Sequence, residues 1–279
     1  MNLLLPLPHV LAATGDAAAA AGFSPGWPVV AAALSLVLGA IALSRWMNLR
    51  VEGSLIWSSV RAAAQLLAVG LLLAAILRST LAGVWAWVWV AGMVALSSWV
   101  MARRMPRGPG LGLPALVTNT VATGVGLAAV FGFGVFAYEP ITVVVVAGIT
   151  LGNAMPQGVL AVRQMVSQAR SQPGTIEALL SLGFDRAGVV RFLAPDAARL
   201  ALTPQIERTK VVGLIALPGA MTGLLLAGID PIDAVVIQLL VMYLILGAAA
   251  ITVVVMVLTV ARSAVTPRLH LAEWVRRDS

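Results

Sequence analysis

Two short stretches hold the side chains best suited to touching a small charged solute. In the first, Asn153, Met155 and Gln157 stand within five residues, beside Gly148, Gly152 and Pro156. Asn153 and Gln157 are four apart, so on a helix they share a face. Such a pair can make hydrogen bonds between helices. It can also line a polar path, in which amide oxygens and the Met155 thioether meet a cation. The second stretch holds Pro218, Gly219, Met221 and Thr222. A proline inside a membrane helix frees a carbonyl, and free carbonyls near the midplane can hold ions; the same proline can serve as a packing kink. Met221 can offer a soft ligand to a transition metal or fill an irregular gap in a core. Met155 and Met221 are the candidate metal contacts. Arg61 and Gln65, also four apart, can form an inner gate, unless Arg61 simply snorkels to the surface. Other chemistry is lacking. There is no cysteine, and His9 and His270 are far apart. No His-Glu-x-x-His, Gly-x-Ser-x-Gly or Gly-x-x-x-x-Gly-Lys-Ser/Thr pattern is present, and the single lysine is Lys210. No catalytic residue is assigned, no cofactor is expected on this chain, and ATP hydrolysis by it is excluded.

The elements that must position these residues are membrane helices. Of 279 residues, 60% are hydrophobic and 10% charged, and mean hydropathy is +0.98. An average soluble domain carries roughly 25% charge, so a water-soluble fold is excluded. The net charge of +7 is then a question of membrane sidedness rather than of nucleic acid, which is not an expected partner. Stretches free of Asp, Glu, Lys and Arg run over 23–44, 62–77, 79–102, 108–138, 140–162, 211–229 and 234–261. Each approaches the roughly 20 residues that cross a bilayer. The expected fold is all-α, with seven spans. Continuous apolar runs rich in Ala, Leu and Gly argue against a barrel. With the N-terminus outside and the C-terminus inside, 17 of the 18 basic residues fall on the inner side, and Arg78 alone falls outside. Residues 1–22 read as an outer tail, with a cleaved leader as the alternative, and 23–279 as one membrane domain. Asp230, Pro231 and Asp233 mark an outer turn, with Asp233 placed to cap the last span. Trp85, Trp87 and Trp89 suit an interface belt.

One inner segment is long. Residues 163–210 hold 11 of the 29 charges, and a loop of that length inside a compact domain is functional or disordered. Its punctuation predicts order. Pro173 and Gly174 end the extension of the fifth span. Thr175 can cap a helix with Glu177 in its first turn, Gly183 suits the position after the helix end, and Asp185 can cap the next helix. Pro195 and Asp196 interrupt and restart that helix, and Thr203 with Pro204 opens the sixth span. The expectation is a chain of short helices forming either a solvated loop or a docking platform.

Residues 175–195, TIEALLSLGFDRAGVVRFLAP, are similar to the coupling-loop signature of ABC-transporter permeases. Glu177, Ala178 and Gly183 match. Leu179 replaces the second Ala, Leu193 stands at the Ile position, and Pro195 comes one residue early. The chain more broadly resembles the FetB-type family of ABC permeases, linked to iron export, with plant relatives in aluminium tolerance. The matching blocks are Arg61, Ala62, Gln65, Leu66, Val69 and Gly70; LGNAM at 151–155; Leu182 and Gly183; ALTP at 201–204; VGLIALPGAMTG at 212–223; AGIDP at 227–231; and Gln238. Gln205, Glu207, Pro156 and Gln157 depart from that pattern. The resemblance implies a permease homodimer in a bacterial inner membrane. It would dock two copies of a cytoplasmic ATPase, which carries the ATP and Mg, and would export a metal cation. Glu177, Ala178, Leu179, Gly183 and Asp185 would couple to the ATPase. Asn153, Met155, Gln157, Pro218, Met221 and Thr222 would line the path. An ABC permease for another small solute, or an ion-coupled secondary carrier, is the alternative. The carrier class usually places Asp, Glu or His inside the bundle, and these spans lack them.

Overall fold

The computed structural model describes residues 27–106, 111–213, 215 and 217–264. Among them the regular structure is α-helical. The helices are α1 (Trp27–Trp46), α2 (Glu52–Leu77), α3 (Ala82–Arg104), α4 (Gly112–Gly132), α5 (Pro140–Ser171), α6 (Pro173–Ser181), α7 (Arg186–Val211), α8 (Gly219–Leu226) and α9 (Pro231–Ala264). Five are long and apolar enough to cross a membrane: α2, α3, α4, α5 and α9. In α1 the apolar part counted is shorter, Leu34–Trp46. The expected tail 1–22, Arg107, His9 and His270 lie outside the described residues.

The expected sixth span, 211–229, is not one helix. Helix α7 ends at Val211 and α8 begins at Gly219. Gly213 takes φ +87° two residues past the end of α7, and Ile215 N donates to Val211 O across it at 3.1 Å. Pro218 precedes the second helix, and its carbonyl accepts from Thr222 N at 3.0 Å. The eight residues of α8 extend about 12 Å, well short of the ~30 Å hydrocarbon core. Apolarity alone had marked this stretch as a span, but helix-breaking residues at 213, 218 and 219 decide its backbone.

The chain forms two compact units. One holds α1, α2, the start of α3 as far as Trp85, and residues 226–228. In it α1 ends on Asn48 with φ +53°. Asn48 N donates to Arg45 O, and Leu49 N donates to Ser44 O, which satisfies carbonyls that a helix end would otherwise orphan. Ser44 Oγ also donates to Glu52 Oε1 at 3.0 Å, tying α1 to α2. Apart from Ile76, no described residue of α2 is buried.

The other unit is built on α5, fifteen of whose residues are buried, with α4, α7 and α9 packed against it. At about 48 Å, α5 is longer than a hydrocarbon core, and its last turns carry Arg163 and Arg170. One end of the unit is a dense core of Met101, Val162, Met165, Ile176, Met256 and Val257 with their neighbours. The segment 163–210 is therefore not a chain of short helices. Only α6 is short, and its fully buried Ile176 seats it on the core.

Helix α7 runs 26 residues through both Pro195 and Pro204, so neither proline ends a helix as expected. Val189, Leu193, Ala197, Ala201 and Gln205 are buried at strict four-residue intervals. That row forms a ridge facing α5 and α9. Both prolines stand on the exposed side. Each removes one ladder bond, while the buried row continues unbroken and holds the helix together. Two smaller expectations also give way. Helix α6 begins at Pro173 without a side-chain cap, so Thr175 lies inside it. The cap of α9 is Asp230, whose Oδ1 accepts from Ile232 N at 2.8 Å, and Asp233 sits in the first turn.

Candidate functional site

The segment expected to couple to a partner is the turn between α6 and α7. Gly183 has φ +87°, a conformation that a side chain makes costly. Gly183 N donates to Leu180 O and Phe184 N to Leu179 O, the paired bonds of a Schellman end. Asp185 Oδ1 then accepts from Gly188 N at 2.8 Å and caps α7. The turn is thus fixed at both ends by the residues the sequence marks. Glu177, Ala178, Gly183 and Asp185 are exposed, while Leu179 packs against the core. The turn also presents two apolar side chains: Leu182 is 76% exposed and Phe184 48%.

The expected path residues form two groups. On α5, Asn153 Nδ2 donates to Ile149 O at 2.8 Å, so its amide bonds back to its own helix rather than across to another. Met155 packs on the core. Gln157 Oε1 is buried without a partner. On α8, Thr222 Oγ1 donates to Pro218 O at 3.2 Å, so the Pro218 carbonyl takes two donors from one residue. Pro218, Met221 and Thr222 are half-buried. Among the described residues no hydrogen bond joins the two groups. Arg61 and Gln65 lie on α2, both exposed.

The structure adds a polar seam that the sequence reading passed over. Asn119 on α4 is fully buried. Its Nδ2 donates to Ser98 Oγ at 3.0 Å and Ser97 Oγ at 3.3 Å, and lies 3.9 Å from Met101 Sδ. Its neighbour Thr118 donates to Met256 Sδ at 3.3 Å. Met101 and Thr252 close over Gly158 of α5. The seam thus draws on α3, α4, α5 and α9. Asn119 Oδ1 and Thr252 Oγ1 remain unpaired within it, and burial of unpaired polar atoms costs about 1–3 kcal/mol each. An Asn inside an apolar run, with paired serines in the preceding apolar run, is the partial signal in the sequence; which faces meet is not in it. The atoms offered are neutral oxygens and thioethers. No group of three or more His, Cys, Asp or Glu that could hold a metal occurs among the described residues.

Residues 27–265 match a family described as Uncharacterised protein family (UPF0014). The UPF0014 membrane protein STAR2 of Oryza sativa subsp. japonica is 33% identical over 226 residues, 79% of this chain and 77% of that protein. Protein ALUMINUM SENSITIVE 3 of Arabidopsis thaliana is 31% identical over 232 residues, 82% and 84% of the two chains. The Probable iron export permease protein FetB of Escherichia coli (strain K12) is 31% identical over 226 residues, 81% and 87%. No solved structure matches the chain. With span-length apolar helices and a match over most of its length, the chain is a multi-pass membrane protein that belongs to the UPF0014 family.

Proposed function

We propose that this chain is the transmembrane permease subunit of an ABC exporter that moves metal cations, iron among them, with energy from a separate ATPase. The supporting observation is the α6–α7 turn. It is held rigid by Gly183 and Asp185, anchored through Ile176 to the core, and topped by exposed Leu182 and Phe184 beside Glu177. A rigid, partly apolar knob on a packed base can transmit force from a docked partner to α5 and α9. The name of the Escherichia coli relative supports iron as cargo.

In this reading residues 23–279 form one permease domain that dimerises in a bacterial inner membrane. Two ATPase subunits dock on the turns and carry the ATP and Mg. The N-terminus is outside and the C-terminus inside, with seven crossings counted by letting α1 span and the stretch after Val211 join α8 in a re-entrant or broken crossing. Non-helical backbone at membrane depth is tolerated where it is buried or lines a cavity. Asn153, Met155, Gln157, Pro218, Met221 and Thr222 line the path, with Arg61 and Gln65 at its inner gate. Contacts by neutral oxygen and sulfur hold a passing cation weakly enough to release it.

The test reconstitutes the chain with its ATPase. Iron(II) should stimulate hydrolysis, and Asn153→Leu should abolish the stimulation while leaving assembly and basal hydrolysis intact. Met155→Leu and Met221→Leu keep volume and remove sulfur, so they should weaken the response to a soft ion more than to a hard one. If all three variants respond as the parent does, the path lies elsewhere. Metal transport by this chain without any ATPase would replace the exporter with an ion-coupled carrier.

A further inference from the structure

Four arginines face one opening where the end of α3 meets the later turns of α5. The pocket, about 510 Å³, is lined by Arg103 and Arg104 from α3 and by Arg163, Ser167 and Arg170 from α5, with no carboxylate among its described lining residues. Arg163 Nη2 donates to Arg104 O at 3.0 Å. That bond satisfies a carbonyl in the last turn of α3, which has no N–H donor of its own, and it leaves most of the guanidinium's five donors for other acceptors. Arg103 lies over the Trp99 ring, 4.2 Å from its centroid. Arg103, Arg104 and Arg163 bring like charges together at this opening, and like charges repel one another, so the arrangement favours an anion among them.

The surface beside the pocket narrows the choice of anion. Leu96, Trp99 and Arg103 share one face of α3 at helical spacing. Leu96 is 60% exposed and Trp99 53%, on a helix of span length and composition. An apolar stripe therefore runs along the span and ends at the guanidinium groups, with an aromatic ring at the junction. Tryptophan suits the headgroup level of a bilayer. Guanidinium forks match phosphate oxygens two at a time, and basic pockets between membrane helices bind anionic headgroups. A free anion would use the pocket and leave the stripe idle, whereas a phospholipid uses both. We infer that this pocket holds the phosphate headgroup of an anionic phospholipid, with an acyl chain lying along Leu96 and Trp99.

The experiment uses the full chain, purified in mild detergent and stripped of lipid. It is then offered phosphatidylglycerol, cardiolipin or phosphatidylcholine, and bound lipid is counted by native mass spectrometry. Anionic lipid should be retained on the order of tenfold more than phosphatidylcholine, and the preference should fall as salt is raised. Equal retention in the parent protein overturns the proposal before any variant is made. Replacing Arg103 and Arg163 together (Arg103→Gln, Arg163→Gln) should weaken anionic-lipid retention about fivefold for each arginine removed, with helix content by circular dichroism unchanged. Undiminished retention overturns it. Displacement of the lipid by millimolar inorganic phosphate would make the pocket a free-anion site, and displacement by a polyglutamate peptide would assign it to an acidic protein partner. Either result overturns the lipid assignment.

Discussion

At Gly158 of α5, side chains from α3 and α9 close in on the backbone. A methyl group there would run into Met101 Cε and come within 2.8 Å of Thr252 Cγ2. Met101 and Thr252 are both fully buried, so neither has free space to move into. Gly152, two turns earlier on α5, has nothing within 4 Å of the same position. Gly158→Ala should therefore destabilise the protein by about 1–3 kcal/mol. Gly152→Ala should leave the thermal midpoint in detergent unchanged, or raise it through better helix propensity. Equal midpoints for the two variants would mean that the Met101 side chain yields freely. At this scale the sequence was read unevenly. Asp185 and Gly183 carry local signals, a cap oxygen and a missing Cβ, that act over three or four residues and can be read without the fold. Asn119 acts through Ser97, Ser98 and Met101 on another helix. Its meaning depends on which faces the bundle turns together, and spacing along one helix does not contain that.

Helices α6 and α7 with their shared turn carry the second argument. Gly183→Val places a β-branched side chain at φ +87°, which costs about 1–2 kcal/mol for an L-residue and shifts the end of α6. Helix content and the α5–α9 core should persist, because Ile176 and the α7 ridge are untouched. ATP-driven transport should be lost while the ATPase still hydrolyses ATP. Wild-type transport with normal co-purification of the ATPase would reduce the turn to a spacer. The length of α7 was in the sequence, in the row at 189, 193, 197, 201 and 205, but Pro195 and Pro204 were given more weight than that row. The expected sixth span is the opposite case, since it is not one continuous helix. Hydropathy was weighed above Gly213, Pro218 and Gly219, and hydropathy reports only where a segment prefers to sit, not its backbone. In both places backbone breakers act according to the face they occupy and the packing around them.

For the whole molecule, the distribution of charge is the strongest constraint. The basic residues at the ends of α1 and α3 and along α5 and α7 lie on one side of the membrane in the proposed topology, following the preference of Lys and Arg for the cytoplasmic face. A reporter fused after Ser279 should be active in the cytoplasm and silent outside, and activity on the outside would invert the arrangement. The membrane class itself was fully legible, since it rests on composition summed over the chain. The proposed path residues were less so, because Asn153, Met155 and Met221 can be judged only against the neighbours that face them. Much of α2 and the outer faces of α3 and α4 carry exposed Leu, Val and Trp, a surface suited to lipid or to a second copy of the chain.

The two prolines of α7 have a mechanical meaning. Pro195 and Pro204 cannot donate to the carbonyls of Arg191 and Leu200, so the ladder is missing two rungs nine residues apart on the solvent side, while the buried ridge stays continuous. A rod weakened on one side only is stiff against twisting out of its groove yet compliant to bending away from it. Amide hydrogen exchange along α7 should accordingly divide into three blocks separated at 195 and 204, with the block nearest the α6 turn exchanging as a unit. Pro195→Ala should merge the first two blocks. If the parent helix exchanges as a single cooperative block, the prolines are not joints, and α7 would carry motion from the turn toward the membrane as a rigid bar.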